Sequence, residues 1–339
     1  MTADLWTHIP KTEVHLHLEG TIAPKTLWDL AHRNHVALPV SSLAELQALY
    51  VFESFDHFIE LWLLMCSCLR KDADYEQMVE DFAAQCAAEN VRYVEAHFTP
   101  YNHEKLGIGG RRALEIVSRR LEAGERAGGP VVRLIADIPS ESAPESGSYT
   151  AALLEEEANP LVVAIGLGGP EYGFPRSDFA RWFDRARAAG YPAVAHAGET
   201  AGAEHVRQAV VDLKVRRVQH GVRAVEDESV LRLLADREIC CDVALTSNLC
   251  LKVAPSLEAH PLARMIAAGV PVTLSTDDPP FFGTTLAREY ERAHTELGLS
   301  QAQLWQMNLN GLRYGLADTG LRRRLLREFS EAGQNLGLY

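Results

Sequence analysis

The chain has 339 residues, 47% of them hydrophobic, 23% charged and 8% aromatic, a composition that excludes disordered, collagenous and coiled-coil proteins. Its 33 basic and 46 acidic residues leave a formal charge of −13, which opposes nucleic acid or an anionic bilayer as the main partner. No stretch approaches the roughly 18 uninterrupted apolar residues of a membrane span and no basic-then-apolar leader opens the sequence, so a cytoplasmic location is expected. The six cysteines contain no C-x-x-C pair and read as buried, reduced thiols.

Eight short apolar or β-branched runs follow one another along the chain: Glu13–Leu18, Val91–Phe98, Val131–Ile138, Leu161–Leu167, Pro192–Ala197, Arg216–Gln219, Ile239–Ala244 and Pro271–Thr276. Stretches with helical spacing separate them, among them Tyr75–Glu89, Arg111–Ala127, Arg176–Ala189, Ala203–Leu213, Asp227–Arg237 and His260–Ala268. Strand–helix alternation implies parallel strands, and eight such units predict a closed (β/α)8 barrel. An open doubly wound sheet is disfavoured, since no G-x-G-x-x-G opens a helix. The gap from Gly20 to Asn90 is far longer than one crossover needs, so extra helices are expected between the first and second strands, over the C-terminal mouth. There Phe55, Phe58, Ile59, Leu61 and Trp62 recur at helical spacing, as the core face of an amphipathic helix or as a lid. The tail from Leu286 to Tyr339 reads as helices packing on the outside. With no linker, repeat or low-complexity segment, residues 1–339 are expected to form one domain.

The ionisable residues fall at the strand ends. Strand one finishes in His15-Leu16-His17-Leu18-Glu19-Gly20, and period 2 points both imidazoles toward the axis. His196 ends strand five in His196-Ala197-Gly198-Glu199, His220 ends strand six, and strand eight ends in Ser275-Thr276-Asp277-Asp278-Pro279. Three imidazoles and a carboxylate suit a zinc-like ion that keeps one position open for water, and the expected ligands are His15, His17, His196 and Asp277. Activating that water also needs proton donors and acceptors beside it, for which Glu199 and His220 are the candidates. Glu199 also fits an ordinary first-turn carboxylate, and Asp278 fits either a substrate contact or an N-cap before Pro279-Pro280. The Gly166-Leu167-Gly168-Gly169-Pro170 run is either a tight turn or a close approach of backbone to a flat ligand. Strand four ends without the lysine that a bridged two-metal site would want, so one metal per chain is expected. The H-x-E…P-C-x-x-C arrangement of the cytidine-type deaminases is missing.

From about Ile9 to Tyr290 these motifs, together with Gln219-His220-Gly221 and Thr246-Ser247-Asn248, resemble in kind and order the adenosine deaminase family of amidohydrolase barrels. The resemblance implies one zinc on His15, His17, His196 and Asp277, and hydrolysis of a 6-aminopurine, adenosine or 2′-deoxyadenosine first, to the 6-oxopurine and ammonia. It implies that Glu199 protonates purine N1, that His220 orients or deprotonates the attacking water, and that Asp278 bonds N7. Gly169 N–H would meet N3, and His17 and Glu19 would complete the substrate contacts. The helix around Phe55, Phe58 and Trp62 corresponds to the family's lid. Two positions depart from the pattern. Glu19 stands where Asp is usual, at the ribose 5′ end, and Glu is common in the adenine branch and in relatives acting on 5′-modified adenosines. His97 stands where Arg is expected, and reads as a harmless replacement rather than an extra substrate contact. Adenine and a 5′-modified adenosine are therefore alternative substrates. A barrel that only binds a nucleoside, and a different amidohydrolase reaction, are the rival readings.

Overall fold

In the computed structural model, which describes residues 2–156 and 158–338, the eight expected runs are eight parallel strands. They are β1 (Lys11–His17), β2 (Val91–Phe98), β3 (Val131–Pro139), β4 (Val162–Gly168), β5 (Val194–Ala197), β6 (Arg217–His220), β7 (Cys240–Val243) and β8 (Val272–Leu274). Two four-stranded sheets, β1-β2-β3-β4 and β5-β6-β7-β8, join at two seams. At one, Ile165 bridges Ala193; at the other, Leu16 bridges Asp277, where His17 N–H donates to the Asp277 carbonyl over 2.9 Å. β8 ends at Leu274, short of the expected Thr276, because Thr276 N–H donates to Glu13 Oε1 (2.8 Å) and Asp277 takes a left-handed φ of +67°. The ladder breaks where the Asp277 side chain turns inward toward His15 and His17.

Strand parity decides what the barrel contains. Glu13, His15 and His17 of β1 share one face, as do Glu95 and His97 of β2, Ile135 and Asp137 of β3, and Ala164, Gly166 and Gly168 of β4. Ile135, Ala164 and Val194 pack as a small apolar layer. Beside it lies a fully buried ion cluster, Arg217 to Glu95 Oε2 at 2.6 Å and to Asp242 Oδ2 at 2.8 Å, with Gln219 and Thr273 also donating to Asp242. Charges this deep persist only when paired.

Four helices fill the Gly20–Asn90 gap: Pro24–Arg33, Leu43–Ala48, Phe55–Ser67 and Asp72–Ala88. The third starts at Ser54, whose hydroxyl caps His57 N–H over 3.2 Å, and buries Phe58, Leu61, Trp62 and Met65 on one face. The tail forms the helices Leu286–Thr295, Gln301–Arg313 and Thr319–Leu336, and it does more than flank the barrel. Asn308 accepts from Thr12 N–H (2.9 Å) and donates to the Pro10 carbonyl (2.8 Å), Asn310 donates to the Val272 carbonyl (2.9 Å), and Leu316 N–H reaches the interior Glu95. These contacts close the end where the strands start, opposite the functional mouth. All six cysteines are free; five are buried and Cys250 is half-buried. Among the described residues no helix is long and apolar enough to cross a membrane.

Candidate active site

His15 and His17, two apart on β1, meet His196 from β5 and Asp277 from the end of β8. The His15 and His17 Nε2 atoms lie 3.2 and 3.1 Å from His196 Nε2, and 3.3 and 3.4 Å from Asp277 Oδ1. The edge of a tetrahedron of donors with 2.0–2.1 Å bonds is about 3.3 Å, so the four atoms already have the spacing of one small divalent cation. The outer nitrogens fix the tautomers. His15 Nδ1–H donates to the Asp242 carbonyl and His196 Nδ1–H to the Leu167 carbonyl, both at 2.9 Å, which turns each Nε2 lone pair inward. Ser247 Oγ–H donates to Asp277 Oδ2 over 2.7 Å. Burial raises the Asp277 carboxyl, but His15, His17 and His220 outweigh it and hold the group ionised. Burial pulls His17 down, yet Asp278, Asp277 and Asp137 raise it to about 10. The cluster therefore calls for positive charge, and its donors fit a zinc-like ion.

Beside the cluster, His220 Nε2 lies 3.5 Å from Glu199 Oε1 and 3.8 Å from Asp277 Oδ2. It is buried and has no hydrogen-bond partner among the described residues. The Asn248 amide donates to His220 Nδ1 over 3.1 Å, and His260 Nε2 donates to the Asn248 carbonyl oxygen at the same distance. That chain puts the His220 proton on Nε2, facing the cluster. Burial also pushes His220 well below its ordinary value, keeping it neutral. Glu199 moves the other way: burial, with the nearby Asp277 and Glu171 carboxylates, holds its carboxyl protonated well above the usual range. Burial does the same to Asp278. A protonated carboxyl can donate, which an ionised one cannot.

A pocket opens from this cluster toward solvent. His17, His196, Glu199, His220, Asp277 and Asp278 line its floor; Gly169, at φ +80°, lines one wall. Phe55, Phe58, Ile59 and Trp62 of the helix Phe55–Ser67 cover it, so the expected lid face does border the pocket. One expected contact, Glu19, falls outside the pocket lining, as does His97, read above as a harmless replacement. Glu19 is fully buried and is not part of the pocket lining: its Oε1 accepts from Thr99 N–H (2.9 Å) and faces His103 Nε2 (3.1 Å), and Tyr75 hydroxyl lies 2.8 Å from His103 Nδ1. The longer side chain that distinguishes Glu from Asp is bound by that imidazole instead of reaching the ligand. His97 is also absent from the lining. Its Nδ1 lies 2.9 and 3.1 Å from the two Asp137 oxygens, and Asp137 does line the pocket.

Residues 10–332 match the adenosine deaminase family model. The chain belongs to the adenosine deaminase family. It is 35% identical to an aminodeoxyfutalosine deaminase of Streptomyces coelicolor over 322 residues, 94% of this chain and 83% of that protein. An adenine deaminase structure from Arthrobacter aurescens superposes with a TM-score of 0.91 at 31% identity, covering 95% of this chain and 98% of that one. A zinc-bound amidohydrolase from Burkholderia ambifaria superposes with a TM-score of 0.90 at 26% identity, covering 99% and 95%.

Around this family centre stand residues that the sequence pattern does not single out. Glu171, fully buried, accepts from Gly198 N–H on Oε2 (2.7 Å) and from Glu199 and Thr200 N–H on Oε1 (2.7 and 2.8 Å), so it clamps the backbone that carries Glu199. Arg176, also fully buried, donates from Nε to the His196 carbonyl over 2.8 Å. Asp137 fits only because β4 has glycine beside it: a Cβ on Gly166 would lie 1.8 Å from Asp137 Oδ1. The visible signal for Asp137 is an acid near the end of a mostly apolar strand, and for Glu171 an acid just after a Gly-Gly-Pro turn. Nothing in the sequence pairs Asn248 with His260.

Proposed function

We propose that the protein is a zinc-dependent aminohydrolase that converts an uncharged 6-aminopurine nucleoside, adenosine or 2′-deoxyadenosine, to its 6-oxo product and ammonia. The observation that carries this reading is the convergence of His15, His17, His196 and Asp277 within one coordination spacing, with Glu199, His220 and Asp278 beside them on the pocket floor. Purine N1, N3 and N7 all accept hydrogen bonds, and the groups assigned to them are two carboxyls held protonated by burial, Glu199 and Asp278, and the Gly169 N–H. His15, His17, His196 and Asp277 would hold a zinc ion, which would supply Lewis acidity and a water reactive at neutral pH. Glu199 then delivers its proton to N1, so that negative charge does not build up on the ring as water adds at C6. His220, neutral and oriented by Asn248 and His260, holds the attacking water through Nε2. The helix Phe55–Ser67 excludes bulk water from the bound base.

Beyond the base, the pocket wall carries Thr99, Asn102 and Glu141, polar groups that ribose hydroxyls can pair and that bare adenine would leave unmatched. Among the described residues no Lys or Arg lines the pocket, while Asp137 does. This charge pattern disfavours a 5′-phosphate and favours a nucleoside over a nucleotide. The whole chain acts as one domain, and its free thiols fit a reducing compartment such as the cytoplasm.

The test is ammonia release from adenine, adenosine, 2′-deoxyadenosine, 5′-modified adenosines and AMP, with the metal counted per chain. Turnover of a nucleoside with about one metal per chain supports the reading. No release from any of them, with metal present, overturns it. Glu199→Gln is expected to lower turnover by roughly 10²–10⁴-fold while retaining the metal, which a binding-only barrel would not predict.

A further inference from the structure

The helix covering the pocket is tied to the end of β8 by more than apolar contact. Phe58 stacks against Phe282, ring centroids 5.5 Å apart, and meets Phe281 edge-on at 5.8 Å, while Phe52 packs on both rings. Phe281 and Phe282 follow directly from Asp277-Asp278-Pro279-Pro280, so the lid and the segment bearing Asp278 form one aromatic unit. Within it, the buried Trp62 indole Nε1–H donates to Asp278 Oδ1 over 3.2 Å. On its other side the same oxygen lies where Gly20 would carry a Cβ, 1.6 Å from that ideal position. Only glycine lets the carboxyl lie this close to the first strand's exit. Oδ1 is thus held between an indole N–H and a bare backbone, in a carboxyl that lines the pocket.

We propose that Trp62 is a positioning residue: its indole N–H orients the Asp278 carboxyl toward the purine N7, so that a closed lid and a correctly read imidazole ring of the base are the same event. This rests on the reading of the site as a 6-aminopurine aminohydrolase and extends it from the catalytic floor to the lid. Aromatic covering of the base alone would need no polar atom at position 62. The indole N–H is what the structure directs at Asp278.

Trp62→Phe removes the N–H and keeps an aromatic ring in the cluster. Metal-loaded wild type and variant are assayed for kcat/KM with adenosine and with 7-deazaadenosine, which lacks N7. In the wild type, adenosine is expected to be preferred by about tenfold or more, the range of one oriented hydrogen bond. In Trp62→Phe, kcat/KM for adenosine is expected to fall about tenfold while that for 7-deazaadenosine changes little, so the preference collapses toward unity. An equal fall for both substrates, with the preference intact, shows a purely structural tryptophan and overturns the inference. If Trp62→Phe does not fold, Trp62→His, which retains a ring N–H, takes its place: preference kept supports the inference, and preference lost despite a donor overturns it. Failure of the wild type to deaminate any 6-aminopurine overturns the underlying reading, whereas an unchanged preference in an active variant removes only the role of Trp62.

Discussion

Glu171 is the sharpest test of how the active site is held together, because it touches no ligand and yet carries the backbone of Glu199. Glu171→Gln changes one oxygen for an NH2 and sets a donor against a donor. Either Gly198 N–H or the pair from Glu199 and Thr200 loses its acceptor. A buried N–H left unsatisfied costs about 1–3 kcal/mol, and each bond that survives loses its charge assistance, roughly 1 kcal/mol apiece. The buried Arg176 loses a nearby anion as well. Together these give about 4 kcal/mol. With an unfolding entropy of about 2.1 cal/mol/K per residue, a chain of 339 residues should lose about 6 °C in Tm. Displacing Glu199 by even 1 Å should cost about 10²-fold in kcat, with the metal retained, because His196 and Asp277 are not bonded to Glu171. The assay is ammonia release and a thermal scan on wild type and variant of equal metal content. A variant with kcat within threefold of wild type and Tm within 1 °C would refute the reasoning.

Three further outcomes follow from the buried groups. Burial pushes the Glu13 carboxyl up to about 8, against its bonds from Thr276. The folded chain therefore keeps a proton that the unfolded chain releases near 4.5, and stability present at low pH is lost as pH rises through about 8, by about 5 kcal/mol in all. Lys11, lowered to about 8, is protonated in both states below that pH, so between pH 5 and 8 the Tm of wild type should fall relative to Glu13→Gln, whose amide oxygen still accepts from Thr276; parallel Tm curves would contradict it. His97 and Asp137 form a fully buried hydrogen-bonded pair, so His97→Ala and Asp137→Ala should each destabilise by about 2 kcal/mol, while the double variant should cost well under their sum by chemical denaturation; additivity would deny the pairing. Glu19→Asp should break the contacts to His103 and Thr99 and lower Tm by a few degrees without changing the relative kcat/KM for adenosine, adenine and 5′-modified adenosines; a changed ratio would return Glu19 to the substrate.

The division between what the sequence discloses and what it hides has a physical origin. Barrel strands are short, apolar and regularly spaced, and period 2 sends His15 and His17 to one face whatever the loops do, so the strand count and the convergence of His15, His17, His196 and Asp277 can be read from spacing alone. The outer partners cannot. Asp242 supports His15 through a backbone carbonyl, which carries no residue signature, and Arg217 is paired across the interior with Glu95 of a strand 122 positions earlier in sequence number. Glu19 shows the same limit from the other side. Its identity is visible at the exit of β1, but its direction is set by His103, which lies on the helix Pro100–Lys105 after β2. There the buried carboxyl meets an imidazole and a backbone N–H, hydrogen-bond partners that burial demands.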